Sequence, residues 1–233
     1  MKLLFLLSIF FTSIFAETKQ VIFVLADDFQ SQRASLVQYE KIDGKFKQVS
    51  KVIKVNIGEN GLAWGESNYN LEVNSLDPVK VEGDKKAVAG IFDLTKIYTY
   101  HNFVYTNMPY EKSTENHICV DDSKSNNYNK IIKTKNKQNY NSYENMLLKN
   151  ETYEYVIVVE HNKMQKSNLG SCIFLHVENP KKKYTSGCTS MKKERIKSII
   201  KWLDTSKFPI LIQLPRKECS RYQKKYSFIN CDI

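Results

Sequence analysis

Eleven residues separate His176 from Cys188 in CIFLHVENPKKKYTSGCTSM, the stretch from Cys172 to Met191, and Gly187 stands directly before the cysteine. A thiolate attacks carbonyl carbon, an imidazole can take the thiol proton, and backbone N–H groups can hold the oxyanion that forms. Glycine at 187 permits a tight turn and leaves bare backbone beside the sulfur. Cys188, His176 and Gly187 could therefore make an acyl-transfer site, as nucleophile, base and oxyanion donor. His161, Asn162, Ser186 and Thr189 are candidates for binding substrate or orienting the base. For any cysteine of an exported chain the competing readings are a buried small residue or half of a disulfide. Residue types and spacing leave that choice open.

The elements around these residues must position them. In CIFLH, strand alternation puts Cys172, Phe174 and His176 on one face and Ile173 and Leu175 on the other. Beyond Cys188, MKKERIKSIIKWLD carries Ile196, Ile199, Ile200 and Leu203 at the spacing of a buried helical face. Ser190 is the expected N-cap. A helix starting near Met191 would place Cys188 at the positive end of its dipole and favour the thiolate. Upstream, KQVIFVLADDF reads as a first strand. SLVQYEKIDGKFKQVSKVIKVNIG reads as a hairpin turning at Asp43-Gly44. GENGLAWG reads as a glycine-bounded loop, and KVEGDKKAVAGIFDLTKIYTY as a turn at Gly83-Asp84 followed by an extended segment through Phe92. Residues 111–150 are polar and read as a long loop or lid. TYEYVIVVEHN and FPILIQL are further strands, the second ended by Pro215. Trp64 and Phe92 read as core, and His101 and His117 as surface or packing residues. The expected class is mainly β (α+β), with one clear helix following Cys188.

Composition narrows the setting. MKLLFLLSIFFTSIFA has one charge, Lys2, then an apolar run ending in Ala16, so residues 1–16 read as a cleaved signal peptide. Residues 17–233 then form a single domain. Without Lys2 the formal charge falls from +10 to +9. Export argues against nucleic acid as the basic chain's partner. An anionic envelope surface or a general lysine bias fits better, and the membrane enters only through residues 1–16 if they stay attached. The five cysteines show no CxxC or clustered Cys/His spacing, so no zinc or other metal is expected. An odd number leaves at least one thiol free. Cys219 and Cys231 are the most plausible pair, Cys172 reads as a buried thiol, and Cys119 is left open.

The ordered segments resemble the L,D-transpeptidase (YkuD-type) family over nearly all of residues 17–233. The resemblance rests on His176 followed by Ser186-Gly187-Cys188, on KVEGDKKAVAGIFDL, on HICVDDSKSNNYNK, on EYVIVVEHN and on SCIFLH. The chain departs from the family's pattern at Val88, where proline is usual, and at Ser186, Thr189 and Ser190 around the cysteine. It also has a shorter loop between His176 and Cys188. The resemblance implies an L,D-transpeptidase-like β-sandwich or barrel in the periplasm or cell envelope, acting on peptidoglycan stem peptides without a cofactor. It further implies a thioester on Cys188, loss of a terminal D-amino acid, and transfer to an amine to make a crosslink. Transfer to water would instead make an L,D-carboxypeptidase that trims stems and changes cell shape. A non-catalytic wall-binding module is the alternative from another class. Asp121 and Asp122 could meet the amino groups of a stem peptide or brace the long loop.

Overall fold

The computed structural model describes residues 18–67, 69, 71–226 and 228–233. The segment read as a signal peptide lies outside the described residues. The strands, in chain order, are β1 (Gln20–Ala26), β2 (Arg33–Ile42), β3 (Lys45–Gln48), β4 (Ile53–Asn56), β5 (Leu62–Trp64), β6 (Ala87–Thr99) and β7 (Tyr110–Lys112). They continue as β8 (His117–Cys119), β9 (Ile131–Lys133), β10 (Glu144–Asn145), β11 (Tyr155–Val159), β12 (Phe174–Val177), β13 (Thr189–Met191) and β14 (Ile210–Pro215). Two α-helices are described, α1 (Lys193–Trp202) and α2 (Arg216–Lys225).

Eight strands close into a barrel in the order β1-β14-β6-β11-β12-β13-β4-β2, with β2 returning to β1. Closure leaves few exposed edges. The pairs β1–β14 and β12–β13 are parallel, and the other barrel pairs are antiparallel. The fold is mainly β. β1 is QVIFVLA and buried throughout, as a strand covered on both faces requires. The β2–β3 hairpin turns where read, with φ of 52° at Asp43 and 76° at Gly44, the two positive values that a type I′ turn needs.

Alternation along the barrel wall builds two cores. Ile157, Val159, Leu175 and Val177 face the main one. Val156 and Phe174 face a second, with Tyr98, Cys119, Met146, Tyr153, Cys172 and Cys188. Residues 111–150 cover this second core. They are not a featureless lid, because β10, β8 and β9 form a three-stranded sheet there, in that order. A disulfide from Cys119 to Cys172 fastens that sheet to the wall. Cys172 is therefore not the free buried thiol its position suggested. Cys219 and Cys231 are paired as expected.

Three local readings change. Leu62–Trp64, inside the segment read as a loop, is a buried strand running parallel to β6. The extended segment read through Phe92 runs on to Thr99 as β6, with Val88 inside it. The FPILIQL strand is followed by a second helix, α2, whose polar sequence hid it from the hydrophobic pattern. Helix α1 buries Ile196, Ile199 and Ile200 as its spacing requires, with Leu203 buried at its end.

Candidate active site

Cys188 closes the loop between β12 and β13 and lines a cavity of about 410 Å³ shared with His176, Gly187, Ser186, Ser190, Tyr153, Glu144, Asp121, Glu82 and Lys80. Cys188 is buried, and of the five cysteines it alone is free. The thiol donates to the Cys172 carbonyl at 3.5 Å.

His176 lies in β12 beside Phe174 on the second-core side, as alternation required. Its Nδ1 is 2.8 Å from the Val177 carbonyl. A carbonyl can only accept, so Nδ1 carries the proton and Nε2 keeps its lone pair. The edge of Tyr153 meets the imidazole, with ring centroids 5.2 Å apart. His176 is 7% exposed, so the imidazole is almost closed off from solvent.

Burial sets the charge state of both groups. It lowers His176 to about 4, partly offset by the Val177 and Thr152 carbonyls. It raises the Cys188 thiol to about 12, helped by the Glu144 charge and opposed by the Phe174 N–H, Lys80 and the Tyr153 hydroxyl. The resting pair is neutral thiol and neutral imidazole. The expectation of a dipole-stabilised thiolate fails for a geometric reason. Thr189–Met191 form β13, so α1 starts only at Lys193. Its N-cap is Lys192, without a side-chain cap, and Ser190 lies in the strand facing the cavity.

Gly187 has φ of 147°, which disfavours other residues, and a Cβ there would sit 3.1 Å from the Lys86 carbonyl. Its N–H donates to Thr185 Oγ1 at 3.1 Å, and that hydroxyl donates to the Cys188 carbonyl at 2.6 Å. Gly187 therefore shapes the turn, and its N–H is bonded to Thr185 in this structure.

The other candidates divide. Ser186 lines the cavity. Thr189 turns away and donates to Gln213 Oε1 at 2.7 Å, and Gln213 donates to the Val88 carbonyl at 2.6 Å. His161 and Asn162 do not line the Cys188 cavity. His161 lies on a neighbouring cavity of about 630 Å³. It donates through Nε2 to the Leu169 carbonyl at 2.8 Å, and burial lowers it to about 4. Asn162 binds the Lys166 and Gly170 carbonyls through Nδ2, at 2.9 and 3.1 Å. Asn129 ties the carbonyls of both residues to the Cys172 N–H. Together they hold the loop that delivers Cys172, and the orientation of His176 comes from Val177 instead.

Asp122 braces residues 111–150, accepting from Asn141 and Lys124. Asp121 lines the cavity, and its buried Oδ1 has no partner. His117 packs with Nε2 2.8 Å from Glu111 Oε1, and exposed His101 pairs with Glu154. Tyr153, Glu144, Glu82 and Lys80 escaped the sequence reading. Glu82 adjoins the Gly83-Asp84 turn already singled out, but nothing in the spacing connects Tyr153 or Glu144 to Cys188. No group of three or more His, Cys, Asp or Glu residues among those described is placed to hold a metal ion.

Neither a scan of protein-family models nor a search of curated proteins finds a match. Two solved structures are similar in fold. The helical cell shape determining protein Pgp2 from Campylobacter jejuni is 14% identical with a TM-score of 0.42, over 84% of this chain and 48% of its own. Bd1075 from Bdellovibrio bacteriovorus is 12% identical with a TM-score of 0.44, over 91% of this chain and 55% of its own. The chain thus spans about half the length of each.

Proposed function

We propose that the chain is an exported cysteine acyltransferase acting on peptidoglycan stem peptides in the periplasm or cell envelope, with Cys188 as nucleophile and His176 as base. The observation that carries this reading is the convergence in one cavity of the free thiol and an imidazole whose tautomer leaves Nε2 as acceptor. Cys188 Sγ attacks the carbonyl at the L-centre of the diamino acid at stem position three while His176 Nε2 takes the thiol proton. The C–N bond to the terminal D-amino acid breaks, and His176 returns the proton to the departing amine. An acceptor amine then attacks the thioester while giving a proton to His176, the S–C bond breaks, the proton returns to Cys188 Sγ, and a crosslink forms. The cavity wall supports a zwitterionic peptide, because carboxylates (Glu82, Asp121, Glu144) and lysines (Lys80, Lys85, Lys182) both line it.

A second reading, L,D-carboxypeptidase activity with water as acceptor, is favoured by one observation. Cys188 is only 7% exposed, and the sheet of β8–β10 is fastened over its side of the wall by the Cys119–Cys172 disulfide. Such enclosure admits water more readily than a second stem. Mass spectrometry of products from a disaccharide tetrapeptide separates the two. Dimers absent with Cys188→Ala establish transfer to an amine, and tripeptide alone establishes hydrolysis. No product from any stem peptide would reject both.

A further inference from the structure

One hydroxyl in the Cys188 cavity is used by neither assignment above. Tyr153 is buried just before β11. Its hydroxyl donates to Glu144 Oε2 at 2.6 Å, and Tyr153 lines the same cavity and second core as Cys188. Its ring rests edge-on against His176. One side chain thus meets the base, bonds a carboxyl group delivered by β10 and shares the nucleophile's cavity. A phenol has one proton, which can point at the carboxylate or at the sulfur but not at both.

We propose that Tyr153 is a catalytic hydroxyl that stabilises the Cys188 thiolate, and that Glu144, acting through it, decides when that hydroxyl is available. This rests on Cys188 being the nucleophile. With Glu144 ionised, the phenol proton is held by the carboxylate and turned from the sulfur. With Glu144 protonated, the carboxyl donates to the phenol oxygen and the phenol proton turns to Sγ. The proton lost by Cys188 goes to His176 Nε2, and Tyr153 keeps its own throughout.

The surroundings suit this role. Burial raises Glu144 to about 7, with the Tyr153 hydrogen bond opposing and the Asp121 and Glu82 charges adding to it. Burial and the Glu144 charge raise Tyr153 well above the usual phenol range, so it stays protonated. The Lys80 charge favours the thiolate from the same cavity. His176, at about 4, and Cys188, at about 12, do not titrate near neutrality. A change of reactivity around pH 7 would therefore belong to Glu144.

The test uses no peptide substrate, so it stands apart from the identity of the donor. Alkylation of Cys188 by iodoacetamide is followed by intact mass on the full mature chain from pH 5.5 to 9. The wild-type rate is expected to climb with a flattened region near pH 7, where Glu144 ionises and withdraws the phenol. Tyr153→Phe keeps the ring against His176 and should slow alkylation below pH 7 by about tenfold, the worth of one hydrogen bond to a charged atom. Glu144→Gln should remove the flattening and speed the reaction above pH 7, and that gain should vanish when Tyr153→Phe is added. An equal gain with and without Tyr153→Phe would overturn the proposal, since Glu144 would then act only as a charge. Should Tyr153→Phe fail to fold, the profile decides alone: identical curves for wild type and Glu144→Gln would also overturn it. If alkylation follows this pattern while no stem peptide acylates Cys188, the substrate assignment fails and the hydroxyl switch stands.

Discussion

Cys188 and His176 line one cavity as neutral groups, and in the proposed reaction this would govern the response to pH. A thiol raised to about 12 is not a standing thiolate, so its proton must leave as attack begins, toward an imidazole held as acceptor. His176 loses its basic form only as the pH falls through about 4, well below the usual histidine range. The acid limb of kcat/KM should therefore fall near pH 4 to 5. A limb at about 6.5, the value of an unperturbed histidine, would show that burial does not control the base. Both residues stood out as candidates from type and spacing, because a histidine near a strand's end and a Gly-Cys turn are local features. Their charge states were not, because burial is set by residues 111–150, which lie far from both in sequence.

The strands and loops account for what the sequence concealed. Cys188 was read against a following helix, yet β13 intervenes because Thr189 and Ser190 pair with Leu175 and His176. Nothing in TSM marks a strand by itself, and pairing with β12 on one side and β4 on the other makes it one. Thr189 then points inward to Gln213, which reaches the Val88 carbonyl in β6. Breaking this buried chain by Thr189→Val leaves the Gln213 carbonyl oxygen without its donor and should cost about 1–3 kcal/mol in urea unfolding. The 161–172 loop carries the second prediction at this scale. His161 and His176 are both lowered to about 4 by burial, so the unfolded chain binds protons that the folded chain refuses. Stability from these two groups is complete above about pH 6.5 and is lost as pH falls toward 4. The melting temperature should drop across that window, and less steeply in His161→Gln. An equal drop in both proteins would assign the loss to other groups.

At the scale of the whole molecule, a closed barrel supplies a rigid wall and the β8–β10 sheet is fastened to its outer face. The site lies between these two bodies, and the Cys119–Cys172 disulfide joins them at its edge. The barrel was partly legible, since long apolar runs such as β1 and β14 announce buried strands. The second body was not, because its few buried apolar residues, such as Ile118, Val120, Tyr128 and Met146, are scattered through a polar sequence without a strand or helix period. The bond closes a loop of 53 residues. Its removal by Cys119→Ala with Cys172→Ala should cost about 2–5 kcal/mol and loosen the wall that carries Glu144. Activity should fall further than fractional unfolding explains, and activity tracking the folded fraction alone would separate the sheet from the site.

The most direct test of the central claim is the intact mass of the mature protein, quenched with acid during turnover of a disaccharide tetrapeptide. The expected result is a mass increase equal to the donor minus its terminal D-amino acid, mapped to Cys188 and missing in Cys188→Ala. Turnover that persists in Cys188→Ala, or an adduct on any other residue, would contradict the assignment of Cys188 as the nucleophile.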